Sequence, residues 1–240
     1  IKVCDRCWLV QTEDHTSFEK IFTEDYAYFS STSSSYVSHA KDFSGKMIKE
    51  LNLDKESYVI EIASNDGYLL KNFIEKKIPC LGIEPTKSTA AVAKKLDIPV
   101  MNEFFNEIIG KQLAKEKKQA DLIIGNNVYA HVPDINDFTK GLKAALKING
   151  TLSLEFPHLL NLIDHTQFDT IYHEHFSYLS LNTVDHIFSS VGLRILDVEE
   201  ISTHGGSLRV FGCHQNDQRE TTKKVDEILK KEITKGLQNL

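Results

Sequence analysis

From residue 57 onward the apolar and polar positions alternate between two periods. SYVIEIA (57–63) is a short β-rich apolar run, and Leu69, Leu70, Phe73 and Ile74 follow it at helical spacing. PCLGIEP (79–85) predicts a second strand, and STAAVAKKL (88–96) a helix capped by Thr86 or Ser88. A short strand at 98–101 leads to a helix around 105–118. ADLIIGNN (120–127) predicts a fourth strand, DINDFTKGLKAAL (134–146) a helix opened by an Asp N-cap, and GTLSLEF (150–156) a fifth strand. Ahead of this series, Phe43, Met47, Ile48 and Leu51 mark a helix over 42–52. The Ser- and Tyr-rich stretch 23–40 reads as a loop.

Strands alternating with helices of ten to fifteen residues imply βαβ units and a mainly parallel, doubly wound α/β sheet. The end of the series differs. After a helix near 181–191, GLRILDVEEI and SLRVFGCH are joined only by STHGG. That connection is too short for a parallel crossover, so the two strands form an antiparallel hairpin. A parallel Rossmann-like sheet closed by such a hairpin is the layout of class I methyltransferases. The charged tail from 219 carries a narrow apolar stripe of Val225, Ile228, Leu229 and Ile233, expected to form a helix that docks on something beyond this chain.

Composition narrows the class. With 240 residues, 41% hydrophobic and 26% charged, the chain is globular rather than disordered or collagen-like. No apolar run reaches the ~20 residues needed to cross a bilayer, and no signal peptide is visible. These features and unpaired thiols read as a cytoplasmic protein with no membrane partner. A net charge of −6 argues against nucleic acid as a partner. Four cysteines make no disulfide framework, although Cys4 and Cys7 form a CxxC. Eight of the ten histidines lie between 131 and 214, a concentration that points to proton transfer or metal binding.

Ligands of open α/β sheets sit beyond the carboxyl ends of the strands, near the switch in strand order. The first strand runs into EIASNDG, where a methyltransferase motif would read acid-x-Gly-x-Gly-x-Gly. Glu61 supplies the acid; Ala63 and Asn65 replace two glycines; Asp66 precedes the one retained glycine, Gly67. A small residue and two that tolerate positive φ still permit a tight turn. Glu84 ends the second strand, where a carboxylate accepts both hydroxyls of a ribose. Asn126 and Asn127 end the fourth strand beside the same crevice, and His131 follows. NAD and S-adenosylmethionine both suit this set. The missing GxGxxG and the closing hairpin favour the methyl donor.

Between the fifth strand and the next helix, Tyr172, His173, Glu174, His175 and Tyr178 put five titratable groups into seven positions. A zinc reading of this HEH run lacks the helical H-E-x-x-H spacing.

VIEIASNDGYLL, GIEP, NNVYAHVPD, YHEHFSYLS and HGGSLR, in that order, resemble the nucleotide-sugar C-methyltransferases of deoxysugar biosynthesis, of the 3-C-methyltransferase type that makes branched sugars such as tetronitrose and mycarose. The likeness spans essentially the whole chain. It implies S-adenosylmethionine as cofactor and a nucleotide-linked 4-keto deoxysugar as partner, methylated at C-3 through an enolate. The matching positions are His175 as base, with Glu174 beside it and Tyr172 and His131 as hydrogen-bond donors. Sequence alone leaves open which of the four takes the proton; neutral imidazole favours His175. In the family's image Tyr26, Tyr28 and Ser31 fold over the site, and Ser207 and Arg209 hold sugar or diphosphate oxygens.

The same resemblance assigns Cys4 and Cys7 to structural zinc. A tetrahedral site takes four ligands, so two would lie outside this chain. The expected organisation is a remnant of a zinc-binding domain at 1–22, an active-site loop and helix at 23–52, an S-adenosylmethionine domain at 53–217, and at 218–240 a helix leading to a further domain. The chain is expected to be a monomer and the middle part of a longer enzyme. An O-methyltransferase and a non-catalytic S-adenosylmethionine-binding zinc module are the alternatives.

Overall fold

The computed structural model describes residues 1–13 and 28–239. Its centre is a seven-stranded sheet of β3 (Val59–Ile62), β4 (Cys80–Ile83), β5 (Val100–Met101), β6 (Ala120–Asn126), β7 (Leu146–Pro157), β9 (Leu193–Ile201) and β10 (Ser207–His214). The strand order is β5-β4-β3-β6-β7-β10-β9. β3 to β7 run parallel, while β10 lies antiparallel to both β7 and β9. The hairpin read from STHGG is therefore present, with its second strand inserted next to the parallel sheet. The order reverses between β3 and β6, which opens a crevice at their carboxyl ends.

Alternation along the strands feeds two apolar layers. Ile60 and Ile62 of β3 pack with Phe138 and Leu142 of α5 (Ile135–Ala145) and with Leu113 of α4 (Glu107–Lys115). Val59 turns the other way, toward Phe43 and Met47 of α1 (Ser34–Glu50) and Phe73 of α2 (Lys71–Glu75). α3 (Lys87–Lys94) adds Ala93 to that second layer. The expected Asp N-cap is Asp134, which accepts the Asp137 amide at 2.9 Å. Thr86 occupies the cap position of α3, but its hydroxyl goes to Glu84 instead.

Three places differ from the pattern reading. α1 begins at Ser34, within the stretch read as a loop, because Ser33 caps it by accepting the Tyr36 amide and Ala40 continues its buried face. β7 starts at Leu146, ahead of the expected GTLSLEF. The tail helix α8 (Lys223–Thr234) packs on this domain, against β9 and α7 (Leu181–Val191), with Ile233 of its apolar stripe left exposed. Val225 and Ile228 are buried there, and the Glu232 carboxylate satisfies the Leu181 and Asn182 amides of α7.

A second, three-stranded sheet joins β1 (Lys2–Val3), β2 (Val10–Gln11) and β8 (Ser177–Tyr178). It fastens the CxxC turn to the end of the YHEHFSYLS segment through pairs such as Val10 with Tyr178. No helix among the described residues is long and apolar enough to cross a membrane.

Candidate active site

The turn after β3 carries three residues with positive φ: Ala63 (55°), Asn65 (49°) and Gly67 (80°). Glu84 Oε2 accepts the Asn65 amide at 2.8 Å and its Oε1 accepts the Thr86 amide at 2.9 Å, which locks this turn to the end of β4. At φ 80° Gly67 adopts a backbone that a Cβ would strain, and that Cβ would also press on the end of the Ile98 side chain. The strap at 28–33 closes over the turn. Ser30 N donates to Asn65 Oδ1, Asn65 Nδ2 donates to the Tyr28 carbonyl, and Ser31 N donates to Asp66 Oδ2.

These elements border a cavity of about 840 Å³ at the carboxyl ends of the parallel strands. That volume lies within the ~300–1,000 Å³ of small-molecule sites. Of the expected cofactor residues, Ala63, Asn65, Glu84, Asn126 and Asn127 line it, whereas Glu61, Asp66 and Gly67 lie behind the wall. Asn126 Oδ1 and Asn127 Oδ1 are buried acceptors with no hydrogen-bond partner among the described residues. Burial, then the charges of Glu84 and Asp66, pushes the Glu61 carboxyl well above the usual carboxylate range. An acceptor-rich wall backed by carboxylates suits a cationic ligand that brings its own donors. S-adenosylmethionine, with sulfonium, ammonium, ribose hydroxyls and adenine amine, fits that description.

The opposite wall is built from the two histidine-bearing segments. His131, Tyr172, Glu174 and His175 all line the cavity, as does Tyr28. Phe176 N donates to the Ala130 carbonyl at 2.9 Å, which fastens one segment to the other. Imidazole Nδ1 of His175 is 2.8 Å from the Thr170 carbonyl oxygen, an acceptor only, so Nδ1 carries the proton. In the neutral ring Nε2 is then the acceptor, and the Tyr172 hydroxyl, 3.1 Å away, is placed to donate to it. Burial first, and then Glu174, raises the Tyr172 pKa, which keeps that hydroxyl a donor.

The remaining expected contacts lie elsewhere. Arg209 is buried beneath the cavity, 2.8 Å from Glu155 Oε2, with its guanidinium over the Phe43 ring. Burial opposes ionisation of Glu155, but His39 and Arg209 outweigh it and lower its pKa. Arg209 is thus held within the fold, not presented to an acceptor. Ser207 is fully buried and donates to the Thr203 carbonyl. Ser31 contributes its amide to Asp66 while its side chain points to solvent. Tyr26 lies outside the described residues.

Cys4 and Cys7 sit at the CxxC turn, where Trp8 N donates to the Cys4 carbonyl and Cys4 N to the Leu9 carbonyl. Amides of Cys7 and Arg6, then the Cys7 thiol, lower the Cys4 pKa; burial raises that of Cys7. No group of three or more His, Cys, Asp or Glu residues suited to a metal occurs among the described residues. These two thiols alone do not complete a tetrahedral site.

Tyr36 was not singled out in the sequence. It lines the cavity from α1, and its hydroxyl accepts from Asn127 Nδ2, which steadies a residue at φ 53°. Ser33 three residues earlier is the available signal, since a capping serine would have started the helix in time to turn Tyr36 inward.

Residues 36–198 match the family model described as a methyltransferase domain, and residues 202–240 match one described as a C-methyltransferase C-terminal domain. C-methyltransferase NovU from Streptomyces niveus is 32% identical over 237 residues, covering 99% of this chain and 56% of NovU. The chain thus spans about half the length of that curated relative. Among solved structures, magnesium protoporphyrin IX methyltransferase from Synechocystis, with bound SAH, superposes with a TM-score of 0.59 at 14% identity, covering 82% of this chain and 92% of that one. An S-adenosylmethionine-dependent methyltransferase from Clostridium acetobutylicum gives 0.58 at 12% identity, covering 82% and 96%. At such identities these two likenesses concern the fold.

Proposed function

The chain belongs to the methyltransferase-domain family and has the class I fold of S-adenosylmethionine-dependent enzymes, and on that premise we propose that it methylates carbon, at C-3 of a nucleotide-linked 4-keto deoxysugar. The observation that carries this reading is the placement of His175 at the cavity wall: Nδ1 is held by the Thr170 carbonyl and Nε2 meets the Tyr172 hydroxyl, so in the neutral ring Nε2 is the atom that would take a proton. Methylating carbon requires removing a proton from it, and a neutral imidazole is the side chain suited to that at neutral pH. The likeness to NovU and the match to a C-methyltransferase C-terminal model support the same reading.

Asn65, Glu84, Asn126 and Asn127 would hold S-adenosylmethionine, which would supply an electrophilic methyl group. His175 Nε2 takes the C-3 proton of the acceptor, whose neighbouring C-4 ketone makes that proton acidic. Tyr172 donates to Nε2 in the resting site and swings its hydroxyl to the C-4 oxygen as charge develops there. His131 is the second donor to that oxygen, and Glu174 orients the acceptor's hydroxyls. Tyr28, at the cavity wall, covers the acceptor. Zinc at Cys4 and Cys7 would require two donors from outside the described residues.

The test is to incubate the chain with methyl-13C S-adenosylmethionine and a TDP-linked 4-keto deoxyhexose. A carbon-bound methyl resonance supports the reading, whereas a methyl ether makes the chain an O-methyltransferase.

A further inference from the structure

We propose that Glu232, on the C-terminal helix α8, is a positioning residue for His175, because its one carboxylate closes the base of the loop that carries the HEH segment. The inference rests on the proposed role of His175. The loop leaves the sheet after Pro157, carries the short helix α6 (Leu159–Asp164), and ends at Ser180, the N-cap of α7. At its start, His158 Nε2 lies 2.7 Å from Glu232 Oε1. At its end, Leu181 N donates to the same oxygen at 2.6 Å and Asn182 N to Oε2 at 2.9 Å. His158 and Glu232 are both at 0% exposure. The main chain closes at the same level, with Leu159 N donating to the Leu179 carbonyl at 2.9 Å.

A buried carboxylate is costly unless its oxygens are satisfied, and here three donors satisfy it, two of them from the first turn of α7, where a negative charge is favoured. An apolar side chain would fill the space without the desolvation cost. What the carboxylate adds is direction: it ties both ends of one loop to a single point. Within that loop lie Thr170, which fixes the His175 tautomer, and Tyr172, which meets its Nε2. The loop falls inside the stretch that matches the methyltransferase-domain model, and Glu232 falls inside the stretch that matches the C-methyltransferase C-terminal model. The C-terminal helix is thereby part of what sets the geometry of the proposed base.

The experiment uses the whole chain with 15N-labelled histidine, the His175 Nδ1–H resonance being assigned by its loss in His175→Asn. In Glu232→Gln that resonance should shift and exchange faster with water. Methyl transfer to the TDP-linked 4-keto deoxyhexose should fall about a hundredfold, the scale of a ~1 Å misplacement, with S-adenosylmethionine affinity unchanged. If Glu232→Gln does not fold, His158→Asn reads the same signals from the other end of the link, leaving Glu232 on α7. An unaltered His175 resonance in either folded variant overturns the proposal, even if the variant melts at a lower temperature. A wild-type chain that binds S-adenosylmethionine but methylates nothing contradicts the proposed function instead, and the resonance still decides the role of Glu232.

Discussion

The imidazoles of His131 and His175 meet edge-on, their ring centres 4.7 Å apart. One follows the end of β6 and the other comes from the long excursion after β7, so the contact joins the two segments on which the proposed acceptor chemistry depends. Its physical basis is ordinary main-chain pairing: the amide next to His175 bonds the carbonyl next to His131. Imidazole chemistry is thereby concentrated on the wall facing the acceptor-rich donor site.

His175→Asn tests the base directly. Asparagine keeps a polar group near the Thr170 carbonyl but has no equivalent of the Nε2 lone pair. Methyl transfer in single-turnover assays should fall by about 10²–10⁴-fold, while calorimetric titration with S-adenosylmethionine gives an unchanged affinity. Unchanged turnover would remove His175 from the role of base.

Much of this architecture was legible in the sequence because periodicity and connection length are local properties. The five parallel strands and the hairpin at STHGG follow from them; residue type marks Asn65 and Gly67 as the φ-tolerant residues of the first turn, whereas the positive φ of Ala63 has no such signal. His131, Tyr172, Glu174 and His175, which the family resemblance groups, line one cavity. What sequence could not show depends on long-range pairing. Arg209 looked available for an anionic substrate, but Glu155, 54 positions away, engages it. The tail helix looked unpartnered because its partners, β9 and α7, are separated from it in sequence by the β10 strand and the turns around it. The Thr170 carbonyl, which decides the His175 tautomer, is main chain and leaves no side-chain signature.

Asn65→Gly tests the strap. Glycine accepts the φ of 49° but loses the bonds to Ser30 N and the Tyr28 carbonyl. The expected cost is about 1–3 kcal/mol in denaturant unfolding, with weaker S-adenosylmethionine binding. Asn65→Ala should cost about 1 kcal/mol more, since it adds the strain of a left-handed backbone. Equal stability of the two variants would contradict the strained turn.

Glu61→Gln tests the buried acid behind the cofactor wall. The carboxyl pKa is raised in the folded chain, so the native state holds the proton above the ordinary value of about 4.3 at which the unfolded chain releases it. Through that window the unfolded chain binds fewer protons, and this group's contribution to stability is lost as pH rises. Glutamine removes the dependence. Its Tm should therefore gain on wild type as pH is raised from about 5 to about 8, and a constant difference across that range would contradict the assignment.

The most direct measurement begins without the methyl donor. The TDP-linked 4-keto deoxyhexose is held with the chain in deuterated water, and the C-3 proton is followed by NMR. The expected result is exchange of that proton for deuterium in the wild type, and its loss in His175→Asn. A C-3 proton retained by the wild type while added S-adenosylmethionine yields a methyl ether would contradict carbon chemistry at this site.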